Sequence, residues 1–100
     1  GLGFATTEEY IYKDGVLLNP HFMDYKMPTA LDVPQIEPVL VENPTGAGPY
    51  GLKGVGEPPH VPAAAAIANA VCNAIGANIT ALPLTPERVL AAIKTKTRDS

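Results

Sequence analysis

Glu57 is the carboxylate best placed to do chemistry, because it stands inside the run Lys53-Gly54-Val55-Gly56-Glu57-Pro58-Pro59. Two glycines bracket one valine, and without a Cβ the backbone can pass very near another group. Two prolines then fix the direction of the chain directly after the acid. A carboxylate whose backbone is constrained on both sides suits a positioned general acid or base. The same acid could equally be a first-turn residue favoured by the dipole of the helix that follows. Residue chemistry alone leaves both open.

Other combinations have less to offer. Gly46-Ala47-Gly48-Pro49-Tyr50-Gly51 matches GxGxxG by letter. The dinucleotide fingerprint needs a strand before it and a helix N-terminus after it, whereas Pro49 removes a donor and more glycine follows. Gly51-Leu52-Lys53-Gly54 lacks the Ser or Thr and the spacing of a phosphate loop. Lys53 reads as a solvated lysine. His60 lies three residues after Glu57 and His21 is isolated, with no partner ligands at metal spacing. Cys72, inside an apolar run, reads as a buried thiol acting as a small hydrophobe. Glu8 and Glu9 are adjacent in an expected strand, so they point to opposite faces. Tyr10 and Tyr12 share a face and read as packing.

The elements that must position these residues follow from pattern. Residues 8–19 read as a hairpin, with Tyr10-Ile11-Tyr12 and Val16-Leu17-Leu18 as strands and Asp14-Gly15 as the tight turn. Between Pro20 and Pro34 one short strand and a loop are expected. Residues 36–42 are apolar enough for a strand that Pro38 restricts to an edge or bulge. Residues 43–62 are dominated by Gly and Pro and form a long loop. In residues 63–75, Ile67, Val71 and Ile75 recur every four residues and are backed by alanines, which predicts an Ala-rich helix. Pro62 suits its first turn and Gly76 its left-handed C-cap. Thr85-Pro86-Glu87 is an N-cap, a proline and a first-turn acid, opening a short C-terminal helix. The expected class is α+β.

Eleven prolines and nine glycines in 100 residues argue for irregular structure, and a chain of this length makes at most one small domain. A net charge of −3, with no basic stripe, argues against nucleic acid as a partner. The apolar run 61–82 is interrupted by Pro62, Asn69, Asn73, Gly76 and Asn78, which argues against membrane insertion. One cysteine excludes an internal disulfide and fits a reducing compartment, so a cytoplasmic location is expected. The chain opens at Gly1 without a Met and reads as a piece of something larger.

The run KGVGEPP, followed by AAIANAV and PLTPERVL, resembles the closing segment of the molybdenum-binding subunit of the molybdenum hydroxylases. These include the xanthine dehydrogenases, aldehyde oxidases and carbon monoxide dehydrogenases. Gly1-Leu2-Gly3, Glu8-Glu9, Tyr25-Lys26-Met27-Pro28-Thr29 and Asp32-Val33-Pro34 resemble the landmarks upstream of GVGE in that family, so nearly the whole chain is covered. The resemblance implies that residues 1–100 are a C-terminal portion of a molybdopterin-binding domain, in which the hairpin and edge strand join a larger sheet. It implies oxidative hydroxylation of an aldehyde or purine-like N-heterocycle carbon, with water as the oxygen source and Glu57 as general base. Gly54, Val55 and Gly56 would lie against a molybdenum–molybdopterin cofactor, with or without a nucleotide extension, and no side chain here would ligate the metal. Iron–sulfur clusters and FAD would belong to other domains or subunits. Expected partners are the rest of the subunit, those electron-transfer parts, a small-molecule substrate and a second copy in a homo-oligomer. The isolated chain would be inactive. The rival is a stand-alone interaction module of the same fold, with Glu57 reduced to a helix-start acid.

Overall fold

The computed structural model describes residues 1–43 and 46–98. Three helices and one hairpin are present: α1 (Leu2–Thr6), β1 (Tyr12–Lys13), β2 (Val16–Leu17), α2 (Ala63–Ile75) and α3 (Pro86–Arg98). Two short 3-10 turns, Pro49–Gly51 and Pro58–His60, interrupt the long connection before α2. The class is thus a mixture of helix and a two-stranded sheet.

The hairpin is antiparallel, with Tyr12 opposite Leu17 and Lys13 opposite Val16. Asp14 (φ 51°) and Gly15 (φ 79°) both take the left-handed region that a two-residue primed turn requires. It is shorter than its apolar pattern suggests. Beyond it only the Leu18 N–H continues the ladder, donating to the Ile11 carbonyl at 2.8 Å. Asn19, 5% exposed, then closes the hairpin with its side chain. Its Oδ1 accepts from the Ile11 N–H (2.8 Å) and its Nδ2 donates to the Glu9 carbonyl (2.6 Å). A buried amide with both ends bonded replaces a further rung.

The small core lies where α1 meets α2 and residues 83–84. Ala5 is fully buried, Gly3 and Pro83 are buried, and Leu84 is 7% exposed. The Leu84 N–H donates to the Ala5 carbonyl at 2.7 Å, satisfying a carbonyl that the end of α1 would leave unpaired. At Gly1 an added Cβ would run into the Ala63 methyl, so hydrogen alone permits this approach of α1 to the start of α2. Along α2, Ile67, Val71 and Ile75 are half-buried together with Ala64, Ala68 and Cys72, while Ala65, Asn69 and Asn73 face outward. Gly76 (φ 63°) ends the helix in the left-handed conformation, and its side of α3 supplies Lys96 Nζ to the Ile75 carbonyl at 3.2 Å. Thr85 caps α3, accepting the Arg88 N–H on Oγ1 at 3.3 Å.

Four expectations need correction. Residues 36–42 form no strand: Pro34 and Pro38 remove donors, nothing among the described residues pairs with the segment, and Ile36, Val39, Leu40 and Val41 are 72–88% exposed. No strand forms between Pro20 and Pro34 either. The segment folds into turns, with the Asp24 and Tyr25 N–H groups donating to the His21 carbonyl. Glu8 and Glu9 lie outside the strands, and α1, too short for a periodic signature, was not foreseen. Cys72 is half-buried, and its Sγ accepts the Ile79 N–H at 3.3 Å.

The whole is open. Its radius of gyration is 18.0 Å, against about 13 Å for a compact domain of this length. No helix among the described residues is long and apolar enough to cross a membrane.

Candidate functional site

Glu57 is the N-cap of the Pro58–His60 turn, with helical backbone angles (φ −83°, ψ −41°) and its carbonyl accepting the His60 N–H at 3.0 Å. Prolines at the first two positions suit such a turn because neither needs an N–H partner there. The carboxylate is exposed and lies on an open concavity of about 390 Å³ lined also by Pro58, Val61 and Pro62. One charged group therefore stands on an otherwise apolar wall.

This geometry bears on the alternative left open by residue chemistry. Glu57 is six residues ahead of Ala63, and the first turn of α2 contains no acid. A helix-dipole effect falls away within one turn. Glu57 is therefore not a first-turn acid of α2, and a single 3-10 turn offers little dipole in its place.

Ahead of Glu57, Gly54, Val55 and Gly56 form an exposed strip with Val55 73% exposed. A Cβ added at Gly54 or Gly56 would meet nothing within 4 Å. Neither glycine takes a positive φ; the left-handed residues are Tyr50 (φ 54°) and Gly51 (φ 74°), further back. What the two glycines contribute is an uncovered backbone. None of the N–H groups of residues 54–56 is engaged in a hydrogen bond among the described residues. Free N–H groups of this kind can serve a ligand rich in acceptor atoms.

The competing motifs separate cleanly. Gly48 turns the chain tightly, since a Cβ there would strike the Leu52 carbonyl, and the N–H groups of Gly51 and Leu52 are spent within the turn on Gly48 and Pro49. With no strand before it among the described residues, GxGxxG lacks the setting of a dinucleotide loop. Lys53, His60 and His21 are exposed, and no group of three His, Cys, Asp or Glu residues among those described is arranged to hold a metal ion.

Sequence reasoning missed the polar link between the two ends of the fold. Arg88 donates Nη2 to Glu9 Oε1 (2.6 Å) and Nη1 to the Pro83 carbonyl (2.8 Å). Residues 79 apart give no local signal of such a pair. It also missed the cluster in which Tyr25 stacks at a tilt on Tyr10, centroids 5.0 Å apart, while Tyr10 meets Tyr12 edge-on at 6.5 Å. Desolvation, helped by Glu8 and Tyr10, raises the Tyr25 hydroxyl above its ordinary pKa.

Comparison with known proteins adds the lineage. Residues 1–34 match the family model described as a molybdopterin cofactor-binding domain. The putative xanthine dehydrogenase molybdenum-binding subunit of Escherichia coli K12 is 52% identical over 91 residues, covering 89% of this chain and 12% of the relative. The crystal structure of quinoline 2-oxidoreductase from Pseudomonas putida 86 superposes with a TM-score of 0.82 at 39% identity, over 93% of this chain and 12% of that one. The chain belongs to the molybdenum hydroxylase family. Another relative, the aldehyde oxidoreductase of Megalodesulfovibrio gigas, is 40% identical over 97 residues, covering 94% of this chain and 10% of its own. Within these molybdenum hydroxylase relatives the chain thus spans only about an eighth of the length or less. The family model covers α1, the hairpin and the turns that follow, and the Glu57 loop lies beyond it.

Proposed function

We propose that this chain is a C-terminal portion of the molybdopterin-binding domain of a molybdenum hydroxylase catalytic subunit, and that Glu57 is its general base. The observation that carries the proposal is the carboxylate fixed between the uncovered strip 54–56 and an apolar concavity, in a chain of this family. Gly54, Val55 and Gly56 present backbone N–H groups to a molybdenum–molybdopterin cofactor. When bound, that cofactor supplies two-electron oxidation and the water-derived oxygen that ends on the substrate carbon. Glu57 would accept the proton given up by the water-derived oxygen, and Pro58 with Val61 gives its carboxylate an apolar wall. The substrate is an aldehyde or a purine-like N-heterocycle, and electrons leave through iron–sulfur clusters and FAD in partner domains or subunits of a cytoplasmic complex.

Glu57→Gln in the full-length subunit tests this. Glutamine keeps the size but cannot accept the proton, so a positioned base should cost ~10²–10⁴ in the rate of enzyme reduction by substrate. That is about 3–5.5 kcal/mol of barrier. Molybdenum and pterin content should be unchanged. A mutant that keeps its cofactor and is reduced at the normal rate would remove Glu57 from the mechanism.

A further inference from the structure

The turn that carries Glu57 is tied to the helix behind it. The His60 N–H donates to the Glu57 carbonyl at 3.0 Å, the Val61 N–H to that of Pro58 at 3.3 Å, and the Ala66 N–H to that of Pro62 at 2.9 Å. Residues 57–66 are thus a run of successive turns, and Glu57 moves with the first residues of α2. No backbone hydrogen bond ties residues 57–62 to any other part of the chain among the described residues. What this run rests on is Gly1. A Cβ at Gly1 would collide with the Ala63 methyl and stand 3.5 Å from the His60 carbonyl oxygen and 3.6 Å from the Ala63 Cα. The methyl is fixed to helical backbone, so no side-chain rotation relieves the collision. One of the two backbones must give way by about 1 Å to regain the ~3.5–4.0 Å of ordinary carbon contact.

Of the two, α1 is the better held. Its Ala5 carbonyl accepts the Leu84 N–H at 2.7 Å, and Thr7 Oγ1 just beyond it donates to the Lys26 carbonyl at 2.7 Å. The displacement therefore falls on residues 57–63. We infer that Gly1 is a positioning residue for the reaction: its missing side chain sets how closely the Glu57 turn seats against α1, and so where the carboxylate stands. It acts through Ala63 and His60. The inference rests on Glu57 being the general base. Misplacing a catalytic group by about 1 Å can lower a rate by about 10²-fold.

Gly1→Ala in the full-length subunit carrying its cofactor tests it, with reduction by substrate followed by rapid mixing and rates expressed per molybdenum. The limiting rate should fall by about ten- to a hundredfold, while the substrate concentration giving half that rate stays within about twofold. Adding Ala63→Gly removes the methyl that the new Cβ strikes. It should restore most of the rate while lowering the melting temperature further, because glycine weakens a helix. A purely structural role would move rate and stability together, so a double variant as slow as Gly1→Ala overturns the inference. Ala63→Val crowds the same contact from the other side and should slow reduction likewise. It decides the matter if Gly1→Ala yields no folded enzyme, and a normal rate in it overturns the role. In a Glu57→Gln background, Gly1→Ala should add less than about twofold, because the base it positions is already gone. A full multiplicative loss would show that Gly1 acts elsewhere. A normal rate in Glu57→Gln alone removes the base and the positioning role with it, whereas a slow Glu57→Gln beside a normal Gly1→Ala removes only the positioning role.

Discussion

At the scale of the residue, Glu57 opens its 3-10 turn ahead of two prolines that need no N–H partner there, and the glycines before it leave the backbone uncovered. That much was legible in the sequence, because Gly and Pro act locally. Gly3 was not, since its constraint comes from across the fold. A Cβ at Gly3 would strike the Glu8 carboxylate and approach Pro28 Cδ at 2.7 Å. The carboxylate can swing away and the proline ring cannot. Gly3→Ala should therefore cost roughly 1–3 kcal/mol as an overpacking change, seen as a lower denaturant midpoint with an unchanged slope. Two titrating residues set pH limits. The Thr29 hydroxyl and N–H, both 2.7 Å from Asp32 Oδ2, hold the Asp32 carboxyl below its ordinary pKa. A depressed acid contributes stability that is present above its unfolded pKa and lost as pH falls through the folded one. Tyr25 is the opposite case: its raised hydroxyl contributes below the unfolded value near 10.0, and that contribution is lost as pH rises through the folded one. Tyrosinate absorbance should thus appear in a Tyr25→Phe variant at lower pH on average than in the parent, and an identical titration would refute the assignment.

At the scale of the element, helices announced by both a periodic stripe and end signals were legible. Residues 63–75 carry the stripe and the C-cap glycine, and 86–98 carry Thr85 ahead of Pro86. The strand expected at 36–42 was read from composition, and composition cannot say whether a partner strand lies in the same stretch of chain. The caps give two measurable effects. Thr85→Ala removes the acceptor of the Arg88 N–H and should destabilise by about 1 kcal/mol. Gly76→Ala places a Cβ at φ 63°, against Lys96 Nζ, and should cost ~1 kcal/mol or somewhat more. Chemical denaturation of each variant checks both, and Thr85→Ser should restore the first.

At the scale of the whole molecule, the family signature covered nearly the entire sequence, while the lack of a self-sufficient core was visible only in structure. Phe22, Met23, Leu31, Leu40 and Val41 are each more than 80% exposed. Scattered apolar residues are normal on a surface, but a run of them over 20 residues is not. The isolated chain is therefore expected to self-associate, with a sedimentation coefficient that rises with concentration and falls when mild detergent is added. A concentration-independent monomer would show that the exposed segment folds back in solution.

The link between Glu9 and Arg88, with the bond from Leu84 to Ala5 and the seating of Gly1 on Ala63, joins the first residues of the chain directly to residues 63–88. Residues 29–62 are then an excursion that leaves this clasp after Tyr25 and Lys26 have met Tyr10 and Thr7, and returns to it. A cut anywhere in that excursion would sever the covalent path but not the clasp. Nicked once between 33 and 43, the protein should yield two peptides that migrate together in a native gel and part only in denaturant, and Arg88→Ala should let them part sooner.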